Sequence, residues 1–314
     1  KIRNLLAEQP GSGKGGVCLA PILDLVGVQM DLGASKRGVS MGPMAIRYGG
    51  LCEGLRQMGF TVNDLGDIVP PVTGATAKNM QNYEQVIDVN RQLFQLVSRT
   101  LEQGHFPIVL GGDHSIAAGS ISAAVRHDPG MGVIWIDAHG DWNNEDSTPS
   151  GNMHGMPFSA VCGYGPSCMV DYGTEPVFVD VKRCVQIGGR DIDTIERQRM
   201  KAAGVTVFPI NAIDKLGMEQ VIAQAIEIAG AGGSGIHLSF DIDAIDPQAA
   251  PGTGTVVHSG LTVREAFLAV ETLAEAGKLC SMDMVEVNPI LDERNKTGIL
   301  ASELIQSALG KTVY

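Results

Sequence analysis

Three short stretches carry the side-chain types that hold metal ions. "GGDHS" supplies His114, "DAHGDWN" supplies Asp137, His139 and Asp141, and "SFDIDAID" supplies Asp241 and Asp243. Each follows an apolar run that reads as a strand: "FPIVL", "GVIWI" and "IHLSF". Residues two apart on an extended chain share a face, so Asp137, His139 and Asp141 are expected to point together if the backbone stays extended. Four carboxylates gathered at one place would repel one another and raise their own pKa values unless cations neutralise them. Carboxylate and imidazole without thiolate suit manganese or another first-row divalent ion better than a structural zinc. Six such ligands suggest two ions sharing bridging carboxylates, about 3.5 to 4 Å apart, an arrangement that activates a water between them. A single acid at a strand end serves equally well as a turn former or helix cap, and Asp113, Asp191 and Asp246 are read that way. His105, His127 and His237 have no motif around them and are read as surface or internally satisfied histidines. The conjunction of three strand ends, not any one residue, argues for metal.

The elements that must position these groups are legible as alternating patterns. The runs "FPIVLGG", "GVIWID", "CVQIGG", "VTVFPI", "IHLSFDID" and "LCSMDMVEVNP" are too continuously apolar for a half-exposed sheet and read as parallel strands covered on both faces. Between them lie helical stripes. Residues 83–103 place Val86, Leu93, Phe94, Val97 and Leu101 on one face, with Gly104 as a stop. Thr262 and Glu265 form a capping-box pattern ahead of Phe267, Val270, Leu273 and Ala274. Residues 217–229 and 300–309 read as further helices. Strand alternating with helix implies right-handed crossovers and an α/β fold, a three-layer αβα sandwich with a mostly parallel, doubly wound sheet. Ligands of such sheets bind beyond the carboxyl ends of the strands, where this chain keeps its polar residues.

Composition narrows the class. The 314 residues are 44% hydrophobic and 18% charged, with a net charge of -12. That balance fits a globular protein with a large core, and it argues against nucleic acid or an anionic membrane as partner. No linker or repeat divides the chain, so residues 21–314 are expected to form one catalytic domain and residues 1–20 a flexible lead-in. "GSGKGG" in that lead-in lacks the spacing, the following Ser/Thr and the preceding strand of a phosphate loop. Six cysteines are scattered without CxxC spacing, and neither a signal peptide nor an apolar run of membrane length is seen. Reduced thiols in a cytoplasmic protein are the expectation; Cys162 and Cys168 have no matching pair that would make them a metal site.

Taken in order, "GGDHS", "DAHGDWN", "SGNMHG", "SFDIDAIDP" and "EVNP" resemble the signatures of the ureohydrolase family, and within it the arginases of bacterial type. The upstream "MDLGASKRGVSMGPMAIRYGG" resembles that family's N-terminal Gly-rich segment, so the likeness runs from about residue 24 to 310. The resemblance implies two Mn2+ ions per subunit. One would be held by His114, Asp137, Asp141 and Asp241, the other by His139, Asp137, Asp241 and Asp243. It implies that a hydroxide bridging the ions attacks the guanidinium carbon of L-arginine, giving L-ornithine and urea. Asp141 would then pass the proton to the leaving amine, Glu286 would grip the guanidinium, and His154 would shuttle a proton or protonate the product. Asn143, Ser150 and Asn152 match residues that hold the α-carboxylate, Asp193 and Glu196 those that receive the α-ammonium, and Thr255 a hydroxyl near the metal end. A homotrimer or homohexamer is the implied assembly.

Two departures stand out. Trp142 occupies a place where a small aliphatic residue is expected, and "GTGTVVHSGLT" puts Val256, His258 and Ser259 where a Pro and paired Gly commonly follow the threonine. Competing readings are a ureohydrolase for agmatine or a guanidino acid, and a metal-binding regulatory relative without catalysis. The polar loop and Asn288 argue for a substrate with an α-carboxylate. An inactive relative predicts eroded ligands or loss of Glu286 or His154, and all are present. A deacetylase on a related fold would need paired histidines beside one zinc, which are not found.

Overall fold

A computed structural model describes residues 21–71 and 82–312. The lead-in over residues 1–20, with "GSGKGG" and Cys18, lies outside the described residues. Eight strands form one sheet: β1 (Ile22–Val28), β2 (Thr61–Ile68), β3 (Phe106–Leu110), β4 (Gly132–Ile136), β5 (Cys184–Ile187), β6 (Thr206–Phe208), β7 (Ile236–Asp241) and β8 (Leu279–Val285). Their order is β2-β1-β3-β8-β7-β4-β5-β6, and every pairing is parallel. The sheet is thus parallel throughout, not merely for the most part.

Among the described residues the helices are α1 (Gly42–Tyr48), α2 (Leu51–Gln57), α3 (Tyr83–Glu102), α4 (Ala117–His127), α5 (Pro157–Val161), α6 (Thr194–Ala203), α7 (Ile210–Leu216), α8 (Met218–Ala229), α9 (Val263–Ala276) and α10 (Lys296–Ala308). Both faces of the sheet are covered, and the strand period of two sorts the side chains between them. Ile134 and Ile136 of β4 join one core with Leu300 and Leu304 of α10 (Lys296–Ala308) and Leu273 of α9 (Val263–Ala276). Val133 and Trp135 join the other with Leu93 of α3 (Tyr83–Glu102) and Ile121 of α4 (Ala117–His127). This double coverage explains the unbroken apolar runs.

The stripe expected over residues 83–103 is α3: Val86, Leu93, Val97 and Leu101 are buried, Phe94 is half-buried, and Gly104 takes a positive φ of 72° just beyond the end. The Thr262–Glu265 capping box opens α9 as expected. Residues 217–229 form α8 (Met218–Ala229). Helix α10 begins at Lys296, earlier than residue 300, because its first turn buries Thr297 and Gly298 and so carries no apolar stripe. Strand β2 was not among the apolar runs: it is an edge strand with mostly exposed side chains and needs no continuous hydrophobic face.

The four neighbours β3, β8, β7 and β4 sit at the centre, and the chain leaves each of them at its carboxyl end into one of the polar motifs. That adjacency builds the site.

Candidate active site

The turn after β3 delivers His114. Gly111 and Gly112 let it pass between β1 and β8: a Cβ on Gly112 would lie 1.7 Å from the Met30 carbonyl oxygen, and one on Gly111 would lie 2.5 Å from the Val285 side chain. Asp113 then acts as a cap, its carboxylate accepting from the Ser115 and Gly33 amides. His114 is stacked on Trp135 with ring centroids 4.0 Å apart, and its Nδ1 lies 3.2 Å from carboxylate oxygens of Asp137, Asp141 and Asp241. This Nδ1 is buried and satisfied by no hydrogen bond of good geometry.

Strand β4 stops at Ile136, so the acids beyond it do not converge through strand alternation. Asp141 takes a left-handed conformation with φ 47°, and it is a turn that folds the segment back. The turn is pinned by side chains: Asp137 accepts from Trp135 Nε1 at 2.9 Å and from the His139 amide, and Asp243 accepts from the Ala138 amide at 3.2 Å. His139 Nδ1 lies 3.1 Å from Asp243 and 3.4 Å from Asp137. Two groups therefore place ligand atoms within 4.8 Å of one another, His114–Asp137–Asp241 and Asp137–His139–Asp243, and Asp137 belongs to both.

The electrostatics call for positive charge. Burial pushes the Asp141 carboxyl up to about 6, with the Asp137 charge adding to it. Burial also lifts Asp241 well above the usual carboxylate range, reinforced by Asp243 and Asp137. For Asp137 burial acts upward too, but His114 and His139 outweigh it and hold this carboxyl low. Both histidines are pushed well above their ordinary value, against their burial, by the surrounding acids. Oxygen and imidazole donors, an unsatisfied buried Nδ1 and mutually repelling acids fit divalent metal. Among the described residues no cysteine belongs to either metal-capable group; Cys162 faces Cys184, with sulfurs 3.5 Å apart, and not Cys168.

Beside the cluster opens a pocket of about 300 Å³. Glu286, at φ 64° after β8, accepts on Oε1 from the His114 amide and pairs at 2.9 Å with His154 Nδ1. Burial lowers the His154 pKa, yet Glu286 more than offsets it and raises the ring to about 9. Both line the pocket, as do His139, Asn152 and Thr255, whose hydroxyl donates to Asp243 at 2.9 Å.

The other expected substrate residues lie outside that lining. Asn143 is buried and accepts from Ser147 Oγ at 2.8 Å. Ser150 is exposed, accepting from the Asn152 amide. Asp193 caps α6 (Thr194–Ala203), and Glu196 spans its amide and that of Trp142. Burial, then the Asp141 charge, lifts the Glu196 carboxyl to about 8.

Sequence reading passed over Ser35, Lys36 and Asp191, which also line the pocket. The first two sit in the Gly-rich segment, whose function the resemblance left unspecified, and Asp191 was read as a turn former. It likewise passed over Arg190, whose guanidinium donates to the carbonyls of Asp243, Ala244, Val257 and His258 and so ties the loop of the Val256, His258 and Ser259 departures to the cluster. Asp246 is a turn former, accepting from the Gln248 amide, and His105 and His237 are satisfied by Asp24 and by Ser281 and Asp283.

A family model described as the arginase family matches residues 23–310. The chain belongs to the arginase family. It is similar to the arginase of Bacillus subtilis (strain 168), at 45% identity over 292 residues, which span 92% of this chain and 98% of that one. Its fold is similar to the solved arginase of Bacillus caldovelox, with a TM-score of 0.89 and 42% identity over 94% of this chain and all of that one. A hypothetical agmatinase from Burkholderia thailandensis shares the fold at a TM-score of 0.71 and 25% identity, over 91% of this chain and 84% of that one. Within this arginase-family fold the unexpected Trp142 is fully buried and meets Phe158 edge-on at 4.9 Å, so the bulk is absorbed by the core rather than by the pocket.

Proposed function

We propose that this protein hydrolyses the guanidinium group of L-arginine, giving L-ornithine and urea, at a site holding two Mn2+ ions. The observation that carries the reading is the pair of ligand groups sharing Asp137, one of which reaches through His139 into a small pocket that also presents Glu286 and His154. His114, Asp137, Asp141 and Asp241 would hold one ion, and His139, Asp137, Asp241 and Asp243 the other. Bound there, two divalent ions would supply the positive charge that lowers the pKa of a coordinated water.

The remaining work falls to the chain's own residues. Glu286 has Oε1 held by the His114 amide and His154, while its Oε2 faces Gly254 on the pocket wall, free to accept guanidinium N–H donors. Water adds to the guanidinium carbon, the bond to the δ-nitrogen breaks, and that nitrogen must gain a proton. Asp141, whose carboxylate lies 3.2 Å from His114 Nδ1 in the cluster, is placed to take the water's proton and hand it on. His154, at about 9, carries a proton at neutral pH that it can give to the amine product. Asn143, Ser150 and Asn152 would read the α-carboxylate and Asp193 the α-ammonium, with Glu196 fixing the Asp193 and Trp142 backbone. Thr255 would orient Asp243 beside the substrate. The same proposal includes a cytoplasmic homotrimer or homohexamer; among the described residues no helix is long and apolar enough to cross a membrane.

The test is urea release by the manganese-loaded protein with L-arginine and agmatine assayed at equal concentration. A preference for L-arginine of about 100-fold, roughly 3 kcal/mol in transition-state binding, is expected. Faster agmatine turnover would overturn the assignment of residues 143–152 and Asp193.

A further inference from the structure

On the side of His114 away from the cluster, a line of polar side chains runs through the core. His114 Nε2 meets Ser239 Oγ at 2.9 Å, and Ser239 Oγ donates to Asp283 Oδ1. Asp283 Oδ2 accepts from Ser120 Oγ at 2.7 Å and from His237 Nε2 at 3.0 Å, and His237 Nδ1 meets Ser281 Oγ at 2.8 Å. Each of these six residues is at most 1% exposed. The line is built by register: His237 pairs with Ser281 and Ser239 with Asp283 across β7 and β8, so alternate positions stack on one face below Asp241.

Burying a carboxylate and an imidazole so deeply is costly, and apolar residues would serve packing as well or better. The chemistry of the chain suggests what they do. An ionised carboxylate only accepts hydrogen bonds. Ser239 has one proton and gives it to Asp283, so toward His114 it can only accept. A neutral His114 ring, the form that ligates a cation, must then keep its hydrogen on Nε2 and offer the Nδ1 lone pair to the ion, whereas without the ion the surrounding acids favour the charged ring. Partners behind a ligating histidine fix its tautomer and orientation in this way.

We propose that Asp283, pinned by His237 and Ser120, is a positioning residue that sets the direction of the hydrogen bonds through Ser239 and so presents the His114 Nδ1 lone pair to a divalent cation. This deepens the metal-site reading and rests on it. The variant Asp283→Asn keeps the shape and reverses the logic. Two donors, Ser120 and His237, hold the amide oxygen on the Oδ2 side, so the amide N–H faces Ser239. Ser239 then donates to His114 Nε2, and the ring hydrogen moves to Nδ1.

Mn2+ binding by the whole chain is measured calorimetrically for the wild type first, then for Asp283→Asn and for Ser239→Ala/Asp283→Asn, with circular dichroism to follow folding. In Asp283→Asn one Mn2+ is expected to bind about 10- to 100-fold more weakly. The ion at Asp137, His139 and Asp243 is retained, and in the metal-free protein, at a pH high enough to leave the ring neutral, 15N shifts of His114 report the proton on Nδ1. The double variant, which frees His114 from the donor, is expected to regain part of the lost affinity. Unchanged affinity, an unchanged tautomer, or loss of both ions in a folded variant would overturn the proposal. A wild-type protein that binds no Mn2+ overturns the metal-site reading itself, and that outcome is seen before any variant is made.

Discussion

At the scale of single residues, Asp137 and His154 give the proposed chemistry its sharpest tests. Asp137 is the residue common to both ligand groups, and it is also pinned by Trp135 and the His139 amide. Asp137→Ala is therefore expected to lose at least one metal per chain, read by elemental analysis, and to abolish urea release. Normal metal content with normal turnover would sink the assignment. His154 supplies a pH test in the metal-free protein. Its folded pKa, about 9, lies above an ordinary value near 6.5, so the stability from its charge is complete below about 6.5 and is lost as pH rises through about 9. The shift corresponds to at most about 3 kcal/mol. Urea denaturation should show wild type ahead of His154→Asn at pH 6, with the gap closing by pH 10. A gap independent of pH would mean that His154 is not charged in the fold.

At the scale of elements, the strand-to-loop turns decide where ligands land, and their glycines differ in kind. Gly112 faces the Met30 carbonyl oxygen, a backbone atom that cannot swing aside, whereas Gly104 has a positive φ but open space where a Cβ would go. Gly112→Ala should cost about 2 kcal/mol or more and lower metal content, because the shift is passed to His114 two residues on. Gly104→Ala should cost about 1–2 kcal/mol from the left-handed conformation alone and leave metal binding intact. Chemical denaturation and metal analysis of the pair separate strain from site geometry. The central strands and the striped helix α3 were legible because burial on both faces, or along one stripe, leaves a periodic record. Edge strand β2 and the first turn of α10 leave none. The left-handed turns at Asp141 and Glu286 were not legible either, since neither is glycine and their conformations are held by contacts from distant segments.

At the scale of the molecule, four acids and two histidines meet at the centre of a chain that already carries a net charge of -12. Ions that bind this cluster only when it is assembled must stabilise the fold by mass action. Free Mn2+ at about 100 times its dissociation constant should add about 2.7 kcal/mol per site, raising the thermal midpoint, and chelation should reverse it. A midpoint indifferent to both manganese and chelator would show that the cluster does not hold metal.

Residue type and spacing were enough for the class of fold and the six candidate ligands, because each ligand follows a buried strand, and the family resemblance added Glu286 and His154. The folded arrangement was needed to make β3, β8, β7 and β4 neighbours, and with that to set which acids share a histidine. It alone brought Ser35, Lys36 and Asp191 to the pocket. It made His237, read as a surface or internally satisfied histidine, part of a line leading to His114. The physical reason is common to all of these. Period and residue type record how a segment meets water, while the pairing of segments distant in the chain depends on strand order and register, which local pattern does not encode.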